Sequence, residues 1–188
     1  MDEASLGTYF DALYQITLRI SSSLDLENVL AYVTEEAAQA VAVKASSVRL
    51  LDEGGNRLEM RAVHGLSEEY LNKGPVYVDR SPVDQQILSG HASQLSNVAT
   101  DHLFQYPEAA AREGIISVAS VPLIAHGKSI GVLRVYSSTP REFSDADMMF
   151  LTAVADLAAL AIENARLYTE IRTNYEDTMN TLWGEPPS

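Results

Sequence analysis

The 188-residue chain contains no cysteine. Without a thiol there is no disulfide, no thiolate metal ligand, no thiol nucleophile and no thioether-linked pigment. Basic residues are also scarce: 13 Lys and Arg stand against 26 Asp and Glu, a formal net charge of -13. Such a charge repels phosphate backbones and anionic lipid surfaces, and no local basic cluster offsets it, so neither nucleic acid nor membrane is expected as a partner. No run approaches the roughly 18 apolar residues that a bilayer span requires. The chain opens with Asp2 and Glu3 instead of a basic stretch followed by an apolar one, so no export signal is expected and a cytoplasmic location is. A phosphate-binding loop, a nucleophile elbow and a His-Glu-x-x-His zinc helix are all missing, and the expectation is a protein without catalysis.

What is present reads as one ordinary folded domain. Hydrophobic residues make up 46% and charged residues 21%, near globular averages, and the length suits one core plus an extra helical element. Leu6, Phe10, Leu13, Ile16 and Ile20 recur at helical spacing and predict a helix over 4–20. Behind Asp25 as cap, Leu26, Val29, Leu30, Val33, Ala37 and Val41 predict a second over 25–42. The period then falls to two. Ser46 to Leu51 and Arg57 to Val63 predict a hairpin across Asp52 to Asn56, with Leu51 facing Arg57, Arg49 facing Glu59 and Ser47 facing Arg61. That register puts Val48 and Leu50 on one apolar face with Leu58, Met60 and Ala62.

The middle of the chain is irregular: a helical turn at Ser67 to Asn72, a short strand at Val76 to Val78, a helix from Pro82 to Leu88 capped by Ser81, and an extended piece at Gln94 to Val98. One more turn of helix is expected around Ala109 to Arg112. Ser117 to Ile124 and Ile130 to Ser137 form a second hairpin, with Pro122 marking a bulge or an edge. Ser144 and Asp147 then open a long helix from 145, in an acidic variant of the capping box. Along it Leu151, Val154, Ala158, Ala161, Ala165, Tyr168, Arg172, Tyr175, Met179 and Leu182 alternate by three and four, the spacing of a helix-pairing seam broken only at Arg172.

This order of elements resembles the GAF family along nearly the whole chain. The resemblance is carried by Leu24-Asp25-Leu26-Glu27, Val48 to Gly55 with Leu58 to Gly65, Ser117 to Leu123, Gly131-Val132-Leu133, and Phe143 to Asp147. It implies an α+β fold: a six-stranded antiparallel sheet with the N- and C-terminal helices on one face and a ligand pocket on the other, beneath the irregular middle. The domain is expected over 1–172, with its core at 45–138 and residues 173–188 as a signalling-helix extension and linker or tail. Members of the family commonly sit in sensor kinases, diguanylate cyclases, phosphodiesterases, phosphatases and transcription regulators. The implied role is therefore a regulatory sensor that binds a small molecule and relays the change through its terminal helices in a homodimer, to an output domain or partner such as a histidine kinase or diguanylate cyclase. The alternative is a ligand-free dimerisation module whose pocket is packed shut by Tyr136.

Within that frame the first and last strands become neighbours, and Arg49 and Arg134 can converge on a carboxylate or phosphate. Arg49 can equally pair with Glu59. Ser120, Tyr136, Phe104 and Tyr70 either line the same pocket or fill core. His91 and His102 lie in segments that would roof the pocket, and His102 is counted among the ligand-binding candidates. An isolated histidine is a weak haem signal, and neither cofactor nor metal is expected. The cysteine-dependent members of the family, methionine sulfoxide reductases and bilin photoreceptors, are excluded, and Asn97-Val98 with Asp101 and Phe104 departs from the cyclic-nucleotide pattern. Leu13, Ile16, Ala158, Ala161, Ala165, Tyr168 and Tyr175 are the residues expected at the dimer interface.

Overall fold

A computed structural model describes residues 3–23, 25–100 and 104–183. Helix α1 (Glu3–Ser22) is followed by α2 (Leu26–Ala40), whose cap is Asp25: its carboxylate accepts the Asn28 N–H at 3.1 Å, satisfying one of the orphan amides of the first turn. Strands β1 (Ala45–Leu51) and β2 (Arg57–His64) form the first hairpin. Its turn is tied by the Asp52 carboxylate, which accepts from the Asn56 and Arg57 amides. Next come α3 (Glu68–Leu71), β3 (Val76–Tyr77), a 3₁₀ turn at Val78–Arg80, α4 (Pro82–Leu88), β4 (Ser93–Leu95) and α5 (Pro107–Glu113). β5 (Ser117–Ala125) and β6 (Lys128–Ser137) are joined by His126 and Gly127, both at positive φ, the primed turn that suits the twist of a tight hairpin. Helix α6 (Asp145–Trp183) closes the chain.

The strands form one antiparallel sheet in the order β3-β2-β1-β6-β5-β4. Alternation along β6 splits the core into two layers. Leu133 and Val135 join Val48, Ala119 and Val121 beneath α1, α2 and α6, while Val132 and Tyr136 join Val118, Val76 and Ile87 on the opposite face. Pro122 is tolerated because β4 pairs β5 only as far as Ser120, leaving Pro122 on an outer edge where no ladder donor is required. Gly131 has a different reason. A Cβ there would stand 2.2 Å from the Arg49 carbonyl oxygen, so only glycine lets β6 lie against β1 at this point.

The first hairpin corrects the expected register. Leu51 faces Leu58, Leu50 faces Glu59 and Arg49 faces Met60; the register then shifts, so Val48 faces Ala62 and Ser47 faces Val63. Arg61 is the extra residue, and a one-residue bulge exchanges the two faces of the strand beyond it. Leu58 consequently packs in the pocket-side layer and Ala62 under the helices, although their spacing placed them together. Glu59 is engaged by Arg57 and, at 3.4 Å, by Arg61, and the expected pairing of Arg49 with it does not form.

The terminal helices are tied to each other, and through Arg141 to the end of α2, by Asp147. Its carboxylate accepts the Tyr9 hydroxyl from α1, the Ser144 amide at 2.9 Å and the Arg141 guanidinium at 3.0 Å, and Arg141 also donates to the Val41 carbonyl at 2.6 Å. The Ser144 hydroxyl accepts the Asp147 N–H in return, completing the predicted box. Burial opposes the charge on Asp147, but the bonds from Tyr9, Ser144 and Arg141 outweigh it and hold its pKa below the ordinary carboxylate value. Among the described residues, no helix is long and apolar enough to cross a membrane.

Candidate ligand-binding site

The pocket lies on the sheet face turned away from the terminal helices. β1 and β6 supply its floor. Ser47 faces Arg134 and Arg49 faces Val132 in register, which makes the two arginines diagonal neighbours on one surface. Helix α4 and the segment before α5 cover them, bringing Asp84 from the first and Phe104, Gln105 and Tyr106 from the second. The void is partly open to solvent, and the free space within it is only about 10 Å³, room for about one water.

Arg134 is held rigidly. Its Nε donates to Ser120 Oγ at 2.6 Å and one terminal nitrogen donates to Asp84 Oδ1 at 2.7 Å. The arginine and aspartate side chains are 7% and 2% exposed, so the pair is desolvated. Ser81 Oγ donates to the other carboxylate oxygen at 2.6 Å, which occupies both oxygens of Asp84. Burial opposes the guanidinium charge; the field of Asp84, aided by Tyr136 and Tyr70, overcomes it and raises the Arg134 pKa. The Phe104 ring lies 5.7 Å from the guanidinium carbon, within cation–π range.

Arg49 is buried in the same wall without an ion-pair partner among the described residues. A third cation, Lys73, completes the ring of positive charge. Its Nζ donates to the Tyr70 carbonyl at 3.2 Å and sits 3.8 Å above the Tyr70 ring. Burial, followed by repulsion from Arg49 and Arg134, pushes its pKa down to about 7. Arg49, Arg134 and, when protonated, Lys73 thus line a void whose one described carboxylate, Asp84, is already bonded, while the Glu113 carboxylate also acts electrostatically on Lys73. Tyr136 bonds Ser47 Oγ at 2.9 Å and meets Tyr70 edge-on at 6.1 Å; burial and the neighbouring Tyr136 push the Tyr70 hydroxyl pKa up.

Of the seven residues singled out for ligand contact, Arg49, Arg134, Tyr136, Phe104 and Tyr70 line this void. Ser120 stands behind Arg134 and orients it. His102 lies outside the described residues. His91 is exposed and close to Ser89, 3.1 Å away, not over the pocket. The sequence reading missed Lys73, Ser81, Asp84, Gln105 and Tyr106. Ser81, the expected cap of α4, makes no capping bond with its side chain, which turns to Asp84 instead. The Ser-x-x-Asp spacing was the available signal. Among the described residues, no group of three or more His, Cys, Asp or Glu is placed to hold a metal.

The proposed interface residues divide differently from expectation. Ile16, Ala158 and Ala161 are buried in the core beneath the sheet, and Leu13 packs against it, because the first half of the α6 seam is consumed inside the domain. The surface of Ile16, Ala158 and Ala161 is therefore unavailable to a partner, while Leu13 is only partly buried. Ala165 is half-buried and borders, with Tyr168, a hollow of about 1110 Å³ on the helix side of the sheet. Tyr168 and Tyr175 are exposed, as are Leu6, Phe10, Tyr14 and Leu18 on α1 and Leu167, Ile171 and Met179 on α6.

Comparison with known proteins agrees with this architecture. The chain is 29% identical over 167 residues to the Nif-specific regulatory protein of Azospirillum brasilense, covering 85% of this chain and 26% of that one. It is 25% identical over 167 residues to the formate hydrogenlyase transcriptional activator of Salmonella typhimurium strain LT2, covering 86% and 24%. It thus spans about a quarter of the length of these regulators. The GAF domain of an Acinetobacter phosphoenolpyruvate-protein phosphotransferase superposes with a TM-score of 0.73 at 27% identity, over 89% of this chain and 97% of that one. Residues 23–163, about three quarters of the chain, match the sequence profile of the GAF domain, and the chain belongs to that family.

Proposed function

We propose that this GAF domain is a non-catalytic sensory module that binds a small anion between Arg49, Lys73 and Arg134 and relays its presence through α1 and α6, paired with those of a second copy. The observation that carries the reading is the charge imbalance of the pocket. Two buried arginines and a half-buried lysine surround one void, and the only carboxylate among its described lining residues is already bonded to Arg134 and Ser81. Uncompensated buried charge is costly, and an anion removes that cost by binding. The regulatory character of the relatives supports the sensory role, and a regulator of this kind works in the cytoplasm.

Relay requires that the ligand favour one helix arrangement over another, and coupling of about 1–3 kcal/mol is typical. β1 and β6 carry the pocket arginines on one face and Val48, Leu133 and Val135 under the helices on the other, so a shift in these strands reaches both layers. The exposed residues Tyr168, Ile171, Tyr175 and Met179 recur by three and four on α6, and Leu6, Phe10, Tyr14 and Leu18 by four on α1, which is the pattern of a helix-pairing surface. The small free volume favours a second reading, a dimerisation module with a closed pocket in which Tyr136 and Tyr70 are permanent filling.

Calorimetric titration with a panel of small carboxylates and phosphates separates the two. Sensor function predicts that at least one anion binds and that Arg49→Ala weakens it at least tenfold with the fold intact. A panel that leaves the wild-type protein silent assigns it to the second reading.

A further inference from the structure

The pocket contains one polar atom that the cation ring does not explain. Gln105 Oε1 is buried and has no hydrogen-bond partner among the described residues, and Gln105 lines the void beside Arg49 and Arg134. The orientation of its amide is fixed by a neighbour. The Tyr106 hydroxyl donates its only proton to the Pro75 carbonyl at 2.6 Å, so towards Gln105, 3.4 Å away, it can only accept. The amide nitrogen must therefore point at Tyr106, which leaves the oxygen on the other side as an unfilled acceptor. Buried acceptors without a donor are rare, and one in the same void as Arg49, which has no ion-pair partner among the described residues, calls for a ligand with both features.

We infer that the ligand of this pocket is a small carboxylate that also carries an N–H or O–H donor, a hydroxy- or amino-carboxylate, with its acid group on Arg49 and Arg134 and its donor on Gln105 Oε1. This rests on the reading of the pocket as an anion site, whose lining side chains must part to admit a molecule larger than the single water for which the void has room, and adds the selectivity of that site. The division of labour is chemical. Guanidinium forks recognise any carboxylate and do not tell acetate from glycolate. The amide oxygen does, because an analogue without the hydroxyl leaves Oε1 desolvated and unpaired, a penalty of about tenfold to a hundredfold in affinity.

The test is calorimetric titration of the intact protein with two matched pairs, acetate against glycolate and propionate against lactate. The hydroxy member of each pair is expected to bind at least tenfold more tightly. Gln105→Met, which keeps length and removes the acceptor, should bring that ratio close to one while acetate affinity holds; Arg49→Ala should weaken all four acids alike. Gln105→Asn, which keeps the acceptor but withdraws it by one methylene, should give an intermediate ratio. Equal binding of both members in the wild-type protein, with Arg49→Ala still damaging, overturns the role of Gln105 and leaves the anion site standing. Absence of binding by all four acids overturns the donor-bearing ligand, and if phosphate and sulfate are silent too, the anion site falls with it. The wild-type comparison decides the matter even if a Gln105 variant fails to fold.

Discussion

Replacing Asp84 by Asn tests the electrostatics of the pocket most directly. Asn has nearly the same shape, its amide oxygen can still accept from Arg134, and its nitrogen can donate to the Ser81 hydroxyl, so the change removes charge while largely keeping the hydrogen bonds. Arg134 would remain desolvated with no counter-charge, since Ser120 on its Nε is neutral. Breaking a buried pair on one side costs about 3–5 kcal/mol, and the retained bonds argue for the lower end, about 3 kcal/mol. For a chain of this length each kcal/mol moves Tm by about 2–4 °C, which gives a fall of about 6–12 °C by differential scanning calorimetry. The same variant should be rescued by anions. With three cations and no carboxylate, sulfate or a carboxylate ligand should bind about tenfold more tightly than to the wild type, a gain of about 1.4 kcal/mol, and should raise Tm more steeply. The double variant Asp84→Leu with Arg134→Met should be more stable than the sum of the single variants predicts, by more than about 1 kcal/mol. A Tm within about 2 °C of wild type, no added response to anions, and additive double-variant energies would show that the pair is solvated and that the charge argument is wrong.

Other consequences can be measured independently. Lys73, with its pKa at about 7, must gain a proton more readily once an anion sits beside it; binding should strengthen as pH falls from about 9 through 7, with proton uptake visible in buffers of differing ionisation enthalpy, and Lys73→Met should abolish that dependence. Asp147 has a folded pKa held below its ordinary value of 3.8. Its stabilisation is therefore present above that value and lost as pH falls through the lower, folded one. Asp147→Asn should lower Tm at neutral pH and flatten the loss of Tm on acidification below about pH 4. Ile171→Asp on the exposed face of α6 should shift the protein towards monomer in light scattering with Tm of the isolated fold unchanged, whereas Ile16→Ala, in the core, should cost about 2–5 kcal/mol in denaturant unfolding. A monodisperse wild-type monomer, or an Ile171→Asp protein that self-associates like wild type, would remove these helices from the pairing role.

Local signals in the sequence were sufficient for every helix and for both long hairpins, because each depends on neighbours in the chain. The Asp25 cap, the Ser144–Asp147 box and the period-two alternation of β6 all act within a few residues, and all appear where they were read. The alternation of β6, with Leu133 and Val135 under the helices, aims Arg134 and Tyr136 to the other face. What failed required knowledge of partners. The Arg61 bulge arises from how β2 must serve two different layers, and strand spacing carries no record of it. The seam of α6 is continuous in sequence. Only packing decides that Ala158 and Ala161 are spent under the sheet while Ile171, beside the apparent break at Arg172, is the apolar residue on the free surface, with Arg172 drawn off to Glu176 at 2.8 Å.

The sequence alone determined the helices, the two long hairpins and the absence of thiol chemistry, since composition and periodicity are properties of the chain itself, and the resemblance carried by its motifs implied the class of fold. The pocket was decided only in three dimensions. Asp84 on α4, Ser120 on β5 and Arg134 on β6 lie up to 50 positions apart, and Lys73 and Gln105 belong to connections without a periodic pattern. Their meeting depends on sheet order and on how the irregular segments fold back across it, and the charge, burial and unfilled acceptor of the site exist only once they meet.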